Sequence, residues 1–196
     1  MSPLQETEMF FLKQMIKQHH SLYRIPIKAE YWEDIFDTAV NKRDDDRSIS
    51  HDTGHDTMDE AEGISYQNKS GVIKMYKGEK ILEWSGHRTG SYDTIQDKVD
   101  FISSQDIDYY VFLARDDKEW GRGIKKYHLI KIASDFIKYN ELNWSPHHNK
   151  NGKHIGYKTD DGDLSASITF SMSHQLWTKA KFNYIEDNAE IHTIEI

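Results

Sequence analysis

About a third of the way along the chain is the stretch Ser65-Tyr66-Gln67-Asn68-Lys69-Ser70-Gly71. As a strand, it would place Gln67 and Lys69 on the same face. A loop-like run, 54–63, precedes it and contains Asp56. An acid, an amide oxygen and an amine that converge at one end of a hairpin can hold a hard cation and stabilise charge on a phosphate. Spacing alone favours a polar, half-exposed strand beside a solvated turn.

The composition narrows the class of protein. A chain of 196 residues, 37% of them hydrophobic, suits a single domain with a sizeable core. The absence of cysteine excludes disulfides, thiolate zinc sites and cysteine nucleophiles. No apolar run reaches membrane-spanning length and the N-terminus lacks a signal-peptide pattern, so we expect a cytoplasmic protein without a membrane partner.

The net charge of −8 disfavours a generic polycationic nucleic-acid binder, but the charges are unevenly distributed. Acidic residues concentrate in 29–62 and 93–108, whereas basic residues concentrate in 69–88, 118–131 and 147–158. A protein that binds divalent cations beside DNA can be acidic overall and still present a basic cleft. The net charge therefore does not exclude a nuclease.

Hydrophobic periodicity predicts helices around a group of strands. Apolar residues at three- and four-residue spacing predict helices up to about residue 19, over 30–40 and over 94–103. Short apolar or alternating runs predict strands at 72–76, 81–84, 108–114 and 126–132. Polar, glycine-containing runs at 85–90 and 143–156 are typical of loops. We therefore predict one α/β (α+β) domain over residues 1–196, with a central mixed β-sheet flanked by helices.

Two short motifs resemble a known family. The run Gly54-His55-Asp56-Thr57-Met58-Asp59, followed by Tyr66-Gln67-Asn68-Lys69-Ser70, is similar to the active-site hairpin of the PD-(D/E)XK nuclease superfamily. It most resembles small PvuII-like type II restriction endonucleases, in which Gly-x-Asp precedes Tyr-Glu-x-Lys-Ser. The downstream order is similar too, with a polar loop at 85–89, a helix that contains Lys98 and an aromatic strand at 109–114. The resemblance covers residues 54–132.

This resemblance implies a restriction-endonuclease-like fold and a Mg²⁺-dependent hydrolase that cleaves double-stranded DNA at specific sites within a restriction system. It implies catalytic roles for Asp56, Gln67 and Lys69, and metal contacts from Asp56, Gln67 and the backbone carbonyl of Asn68. Mn²⁺ is the expected substitute metal. A homodimer would match a palindromic site, and a cognate DNA methyltransferase is expected in the same system, although not as a physical partner.

Under this interpretation, three parts of the chain have different functions. The helical part, 1–45, provides dimerisation, 50–135 forms the catalytic core, and 140–196 supplies DNA recognition and the C-terminal part. The DNA-binding candidates are polar or basic residues from two segments: Ser85, His87, Arg88, His147, His148, Asn149, Lys150, Lys153 and His154. Solvated loops remain the alternative for both segments, and a histidine metal site is a further alternative for the second.

One departure concerns Gln67, which stands where the family usually has Glu. Gln-x-Lys variants occur in the superfamily, for instance in Mrr-like enzymes. The change removes one negative charge from the metal site, so we expect weaker metal binding unless a supporting acid compensates. The candidate supporting acids are Asp59, Glu62 and Glu33. Two other functions stay open: a structure-selective repair or phage-derived DNA nuclease, and a non-catalytic DNA-binding module with a decayed site.

Overall fold

The computed structural model describes residues 4–41, 56–171 and 173–196. Two amphipathic helices, α1 (Glu6–Leu22) and α2 (Ala29–Asn41), begin the described chain and bury apolar side chains at the predicted spacing. The carboxylate of Glu8 accepts a hydrogen bond from the backbone N–H of Gln5 (2.7 Å), which closes the N-terminus of α1. Among the described residues, no helix is long and apolar enough to cross a membrane.

The remaining described elements are mostly strands. The strands are β1 (Thr57–Asp59), β2 (Ile64–Tyr76), β3 (Glu79–Arg88), β4 (Tyr109–Asp116), β5 (Lys126–Ala133), β6 (Trp144–His148), β7 (His154–Thr159), β8 (Leu164–Thr169), β9 (Gln175–Lys181) and β10 (Ala189–Glu195). The further helices are α3 (Ile95–Ser103), α4 (Asp117–Gly121) and α5 (Phe182–Asn188), with 3₁₀ turns at Ser134–Phe136 and Tyr139–Glu141.

These strands form one mixed sheet. Their order is β10-β5-β4-β2-β3-β9-β8-β7-β6, and β1 pairs with the first residues of β2. β2 and β4 run parallel because the chain crosses over through β3 and α3 between them, whereas the other pairs are antiparallel. The predicted mixed sheet flanked by helices is confirmed.

The two faces of β2 meet different layers. Tyr66 packs in an apolar cluster that contains Trp32 and Phe36 of α2. Ile73, on the other face, packs in a second cluster that contains Val99 of α3. Because side chains alternate along a strand, Gln67 and Lys69 share the face of Ile73, which is the face covered by α3.

Two segments that we predicted as loops are strands. Residues 85–88 continue β3, which pairs with β9. Residues 143–156 contain β6 and the start of β7, which form a hairpin at the edge of the sheet. The Asn149 side chain closes its turn by accepting hydrogen bonds from the N–H groups of Asn151 (2.9 Å) and Lys153 (3.0 Å). The loop prediction was wrong because polar residues suit an exposed edge hairpin as well as a loop.

The boundary that we predicted between the helical part and the core lies between residues 45 and 50. It falls outside the described residues, as do Gly54 and His55.

Candidate active site

A gap in the strand pairing of β2 defines the candidate active site. One edge of β2 pairs with β4 from Tyr66 to Ile73. The other edge pairs with β1 up to Tyr66 and with β3 from Gly71 onward. Among the described strands, none pairs with residues 67–70 along this second edge. Asp56, the residue before β1, reaches into this gap.

Three donor groups of β2 lie close to the Asp56 carboxylate. Its Oδ2 accepts hydrogen bonds from Gln67 Nε2 (2.5 Å) and from the backbone N–H of Asn68 (2.8 Å). The Lys69 ammonium lies 3.4 Å from the same oxygen. The backbone N–H of Asp56 donates to the carbonyl of Tyr66 (2.9 Å), which fixes the loop against the strand. The structure thus brings the three predicted catalytic side chains together.

Asn68 contributes its backbone to this site, and its side chain faces away. The side chain donates to Thr57 Oγ1 (2.8 Å) on the opposite face of the strand. A strand residue directs its N–H and C=O to the same edge. Because the N–H of Asn68 points to Asp56, its carbonyl oxygen also faces the gap, as expected of a metal-contacting carbonyl.

The residues in the gap suit a hard cation. They offer the Asp56 carboxylate, the Asn68 carbonyl and Gln67, whose Oε1 is buried without a hydrogen-bond partner in the described parts of the chain. Oxygen donors of this kind are those that Mg²⁺ prefers. Asp56 is the charged oxygen donor of this set; the described residues include no cluster of three or more His, Asp or Glu side chains arranged to hold a metal.

His87 lies beside the candidate site because β3 contains a bulge. The register between β3 and β9 shifts between Ser85 and Arg88, and such bulges redirect side chains. The His87 ring packs against Phe101 of α3, with ring centroids 5.9 Å apart. Burial, and then the nearby Lys69 ammonium, lowers the pKa of His87 to about 4, although Asp56 acts in the opposite sense. His87 is therefore neutral at neutral pH.

We expect the stability of the protein to fall as the pH decreases from about 6.5 to about 4, because unfolded His87 binds a proton in this range and folded His87 does not. Above this range both states are neutral and the contribution disappears. Urea unfolding across the range should show a smaller pH dependence for His87→Phe than for the wild type. His148→Phe, which changes an exposed hairpin residue, is the control. Equal slopes for all three proteins would contradict this assignment.

The predicted supporting acids belong to the opposite side of the sheet. Asp59 Oδ1 accepts hydrogen bonds from the N–H groups of Ala61 (2.9 Å) and Glu62 (3.1 Å), so it shapes the turn between β1 and β2. Asp59 and Glu62 interact electrostatically with Tyr66 and Lys131, on the face covered by α1 and α2. No contact of either acid with Asp56 is present among the described residues, so their role as supporting acids stays a prediction. Glu33 is part of α2, which packs on that same face.

The DNA-binding candidates gather at one end of the sheet. At this end, Arg88 of β3 pairs with Gln175 of β9. β9 pairs with β8 and β8 with β7, so the same end also contains His154 of β7 and its pairing partner His148 of β6. The same end holds the gap beside Gln67. Lys150 and Lys153 are exposed at the hairpin tip, and the rings of His148 and His154 lie 5.3 Å apart.

The surroundings of three of these candidates differ from the loops that we predicted. The Asn149 side-chain oxygen is engaged in the turn of its own hairpin. Ser85 pairs with Trp177 inside the sheet. His147 lies along β6, near Lys158 and Trp177. They are therefore not parts of free loops.

The sequence analysis named Lys98 as part of the family resemblance but gave this buried lysine no role. Lys98 of α3 is fully buried, and its ammonium donates to the backbone carbonyls of Thr89 (2.7 Å) and Tyr92. Thr89 in turn donates through its N–H (3.1 Å) and its Oγ1 (2.9 Å) to the carbonyl of His174. The signal was present, since Lys98 occupies the apolar stripe of α3.

The comparison with known proteins does not identify a family for this chain. A scan against protein-family models found no match for the chain, and a search of curated proteins found no significant match. The site is therefore described by its chemistry: an acid, an amide, a strand carbonyl and an amine meet in a gap between strands, beside a neutral imidazole.

Proposed function

We propose that this protein is a Mg²⁺-dependent endonuclease that hydrolyses phosphodiester bonds in double-stranded DNA at specific sites, as a type II restriction endonuclease does. The observation that carries the proposal is the meeting of Gln67 (2.5 Å) and Lys69 (3.4 Å) at one carboxylate oxygen of Asp56. The restriction-endonuclease-like fold is part of the proposal, and it is supported by the mixed sheet in which β2 and β4 run parallel.

Each residue of the gap has a role that follows from its chemistry. Asp56, the Asn68 carbonyl and Gln67 would hold the metal, with Mn²⁺ as a substitute. Bound Mg²⁺ would polarise the phosphate and promote ionisation of the attacking water. The Lys69 ammonium would orient that water and stabilise the negative charge that develops on the phosphate oxygens. His87, neutral and adjacent, would donate or accept a hydrogen bond at the rim without adding charge.

Specificity would come from the end of the sheet that borders the gap. Arg88 is exposed there and carries the donor fork that suits guanine or phosphate. Lys150 and Lys153 at the β6–β7 tip would contact the backbone. These groups place positive charge beside the site even though the chain carries a net charge of −8. Of these groups, Arg88 can read a base edge, and it favours a base-reading nuclease over a structure-selective one.

The direct test is digestion of plasmid DNA with Mg²⁺ or Mn²⁺. We expect discrete bands from the purified protein, because specific sites yield fragments of fixed length. Random smearing would contradict sequence-specific cleavage and favour a structure-selective repair or phage-derived nuclease. No cleavage with either metal would favour the non-catalytic DNA-binding module. Protection of the DNA by a methyltransferase encoded beside this protein would support a restriction system.

The proposal includes a homodimer that associates through the N-terminal helices. Large apolar side chains are exposed on α1 and around its end: Phe10, Phe11, Leu22, Tyr23, Ile25 and Tyr31. Phe11 and Leu22, 45% and 71% exposed, are separated by three helical turns and so lie on one side of α1. A cluster of this kind suits a protein–protein interface.

We expect a dimer in light scattering coupled to gel filtration, and we expect Phe11→Asp with Leu22→Asp to yield a monomer. Charged groups buried at an apolar interface without partners oppose association. Met75→Asp is the control, because Met75 is also largely exposed (64%) but lies in β2, away from these helices. A wild-type monomer, or a dimer that survives the double substitution, would contradict this part of the proposal.

A further inference from the structure

The amide of Gln67 has an orientation that its partner dictates. A carboxylate accepts hydrogen bonds and, when ionised, cannot donate them. An amide that lies 2.5 Å from Asp56 Oδ2 must therefore turn its NH₂ group toward that oxygen. Its own oxygen then points elsewhere, and it is buried without a partner in the described residues. The hydrogen-bond network thus fixes which amide atom faces the carboxylate.

Asp56 Oδ2 is already saturated by the protein's own donors. The Asn68 N–H (2.8 Å) and the Lys69 ammonium (3.4 Å) reach the same oxygen as the Gln67 amide. The negative charge of Asp56 is thereby balanced within the chain. A glutamate at position 67 would instead place a second carboxylate against Asp56, and the two acids would repel each other. The amide is therefore compatible with a site that is neutralised without a cation.

Mg²⁺ places the opposite demand on Gln67, because the ion takes oxygen ligands and an NH₂ group cannot serve as one. We propose that Gln67 is a two-position ligand. Its NH₂ group binds Asp56 in the metal-free protein, and the amide turns over to present Oε1 when Mg²⁺ binds. This inference rests on the proposed function, since it assumes that the metal binds at Asp56.

The surroundings of Gln67 permit this rotation. The last torsion of a glutamine side chain is broad and roughly two-fold, so two opposite orientations are both accessible. Gln67 is only 3% exposed, and the turn exchanges an oxygen and a nitrogen of similar size within the same volume. The rotation therefore needs no repacking of the neighbouring apolar residues. Its cost is the loss of the hydrogen bond to the Asp56 carboxylate and the burial of the NH₂ group where the amide oxygen had no hydrogen-bond partner.

The affinity for Mg²⁺ should reflect the cost of this rotation. Gln67→Glu removes the competing hydrogen bond and adds a negative ligand, so calorimetry should show Mg²⁺ binding at least about tenfold more tightly. Gln67→Met has a similar volume but neither a donor nor a hard oxygen ligand, and it should bind Mg²⁺ at least about tenfold more weakly than the glutamate variant.

The orientation itself can be followed in the wild type by NMR with ¹⁵N-labelled glutamine side chains. The Gln67 amide and the Asn68 N–H point at one oxygen, so their hydrogens lie close and should give a nuclear Overhauser effect. The Gln67 signal is assigned by its loss in Gln67→Met. Gln96, whose amide donates to Asp100 (2.7 Å) on the surface of α3, provides an internal control.

Addition of MgCl₂ should abolish the Gln67–Asn68 effect and leave the Gln96 signals unchanged. If calorimetry shows Mg²⁺ binding while that effect persists, the rotation is wrong and the proposed metal site stands. If neither Mg²⁺ nor Mn²⁺ binds, the metal-dependent function and the rotation both fall. These readouts do not depend on cleavage, and the wild-type spectrum decides the question even if a variant fails to fold.

Discussion

Replacing Lys69 with methionine is expected to slow Mg²⁺-dependent DNA cleavage by about a hundredfold to a thousandfold. Methionine retains the length of the side chain in a position that is only 16% exposed, but it removes the ammonium 3.4 Å from Asp56. The developing charge on the phosphate then loses its nearest cationic donor on β2. Asp56 keeps the hydrogen bonds from Gln67 and Asn68, so the fold should persist and DNA should still bind.

Lys74→Met is the matched control for this experiment. Lys74 also lies in β2 and forms an ion pair with a neighbouring acid, Glu83 (2.5 Å). It stands beyond the gap, where β2 is paired with β3. Single-turnover cleavage should be close to wild type for Lys74→Met and severely reduced for Lys69→Met. Equal rates for the two variants would show that Lys69 is not part of a catalytic site.

The contact between Asp56 and the strand of Gln67 was predictable because it depends on local geometry. A hairpin returns the chain on itself, so a residue shortly before β1 must lie near the start of β2. Alternation then decides that Gln67 and Lys69 share a face. The helices α2 and α3 were predictable for a similar reason, since their apolar periodicity reports burial directly. No long-range information was needed for either.

The surroundings of the site depend on pairing between distant strands, which local patterns do not encode. His87 faces the site because of a register shift against β9, about ninety residues later in the chain. Asp59 was predicted as an acid that could compensate for the charge missing at Gln67, but its side chain lies on the face covered by α1 and α2. The β6–β7 hairpin was missed because its polar residues lie at an exposed edge of the sheet.

Replacing Asp56 with alanine is expected to abolish cleavage and to lower the free energy of unfolding by about 2–4 kcal/mol. The change leaves the Gln67 amide and the Asn68 N–H without their acceptor, and it removes the counter-charge of Lys69. For a chain of this size, the melting temperature should fall by about 4–15 °C. Asp100→Ala removes an exposed acceptor from Gln96 and should change stability by less than about 0.5 kcal/mol.

Asp56→Asn separates the two roles of this residue. Its side-chain oxygen can still accept hydrogen bonds from Gln67 and Asn68. The free energy of unfolding of Asp56→Asn should therefore be much closer to the wild-type value than that of Asp56→Ala. Its neutral amide cannot balance Lys69 or supply the charge that a divalent cation requires, so cleavage should remain abolished. Loss of activity with retained stability would identify the carboxylate charge as the functional feature. An asparagine variant that still cleaves DNA would mean that Asp56 only braces β2 and that the proposed chemistry is wrong.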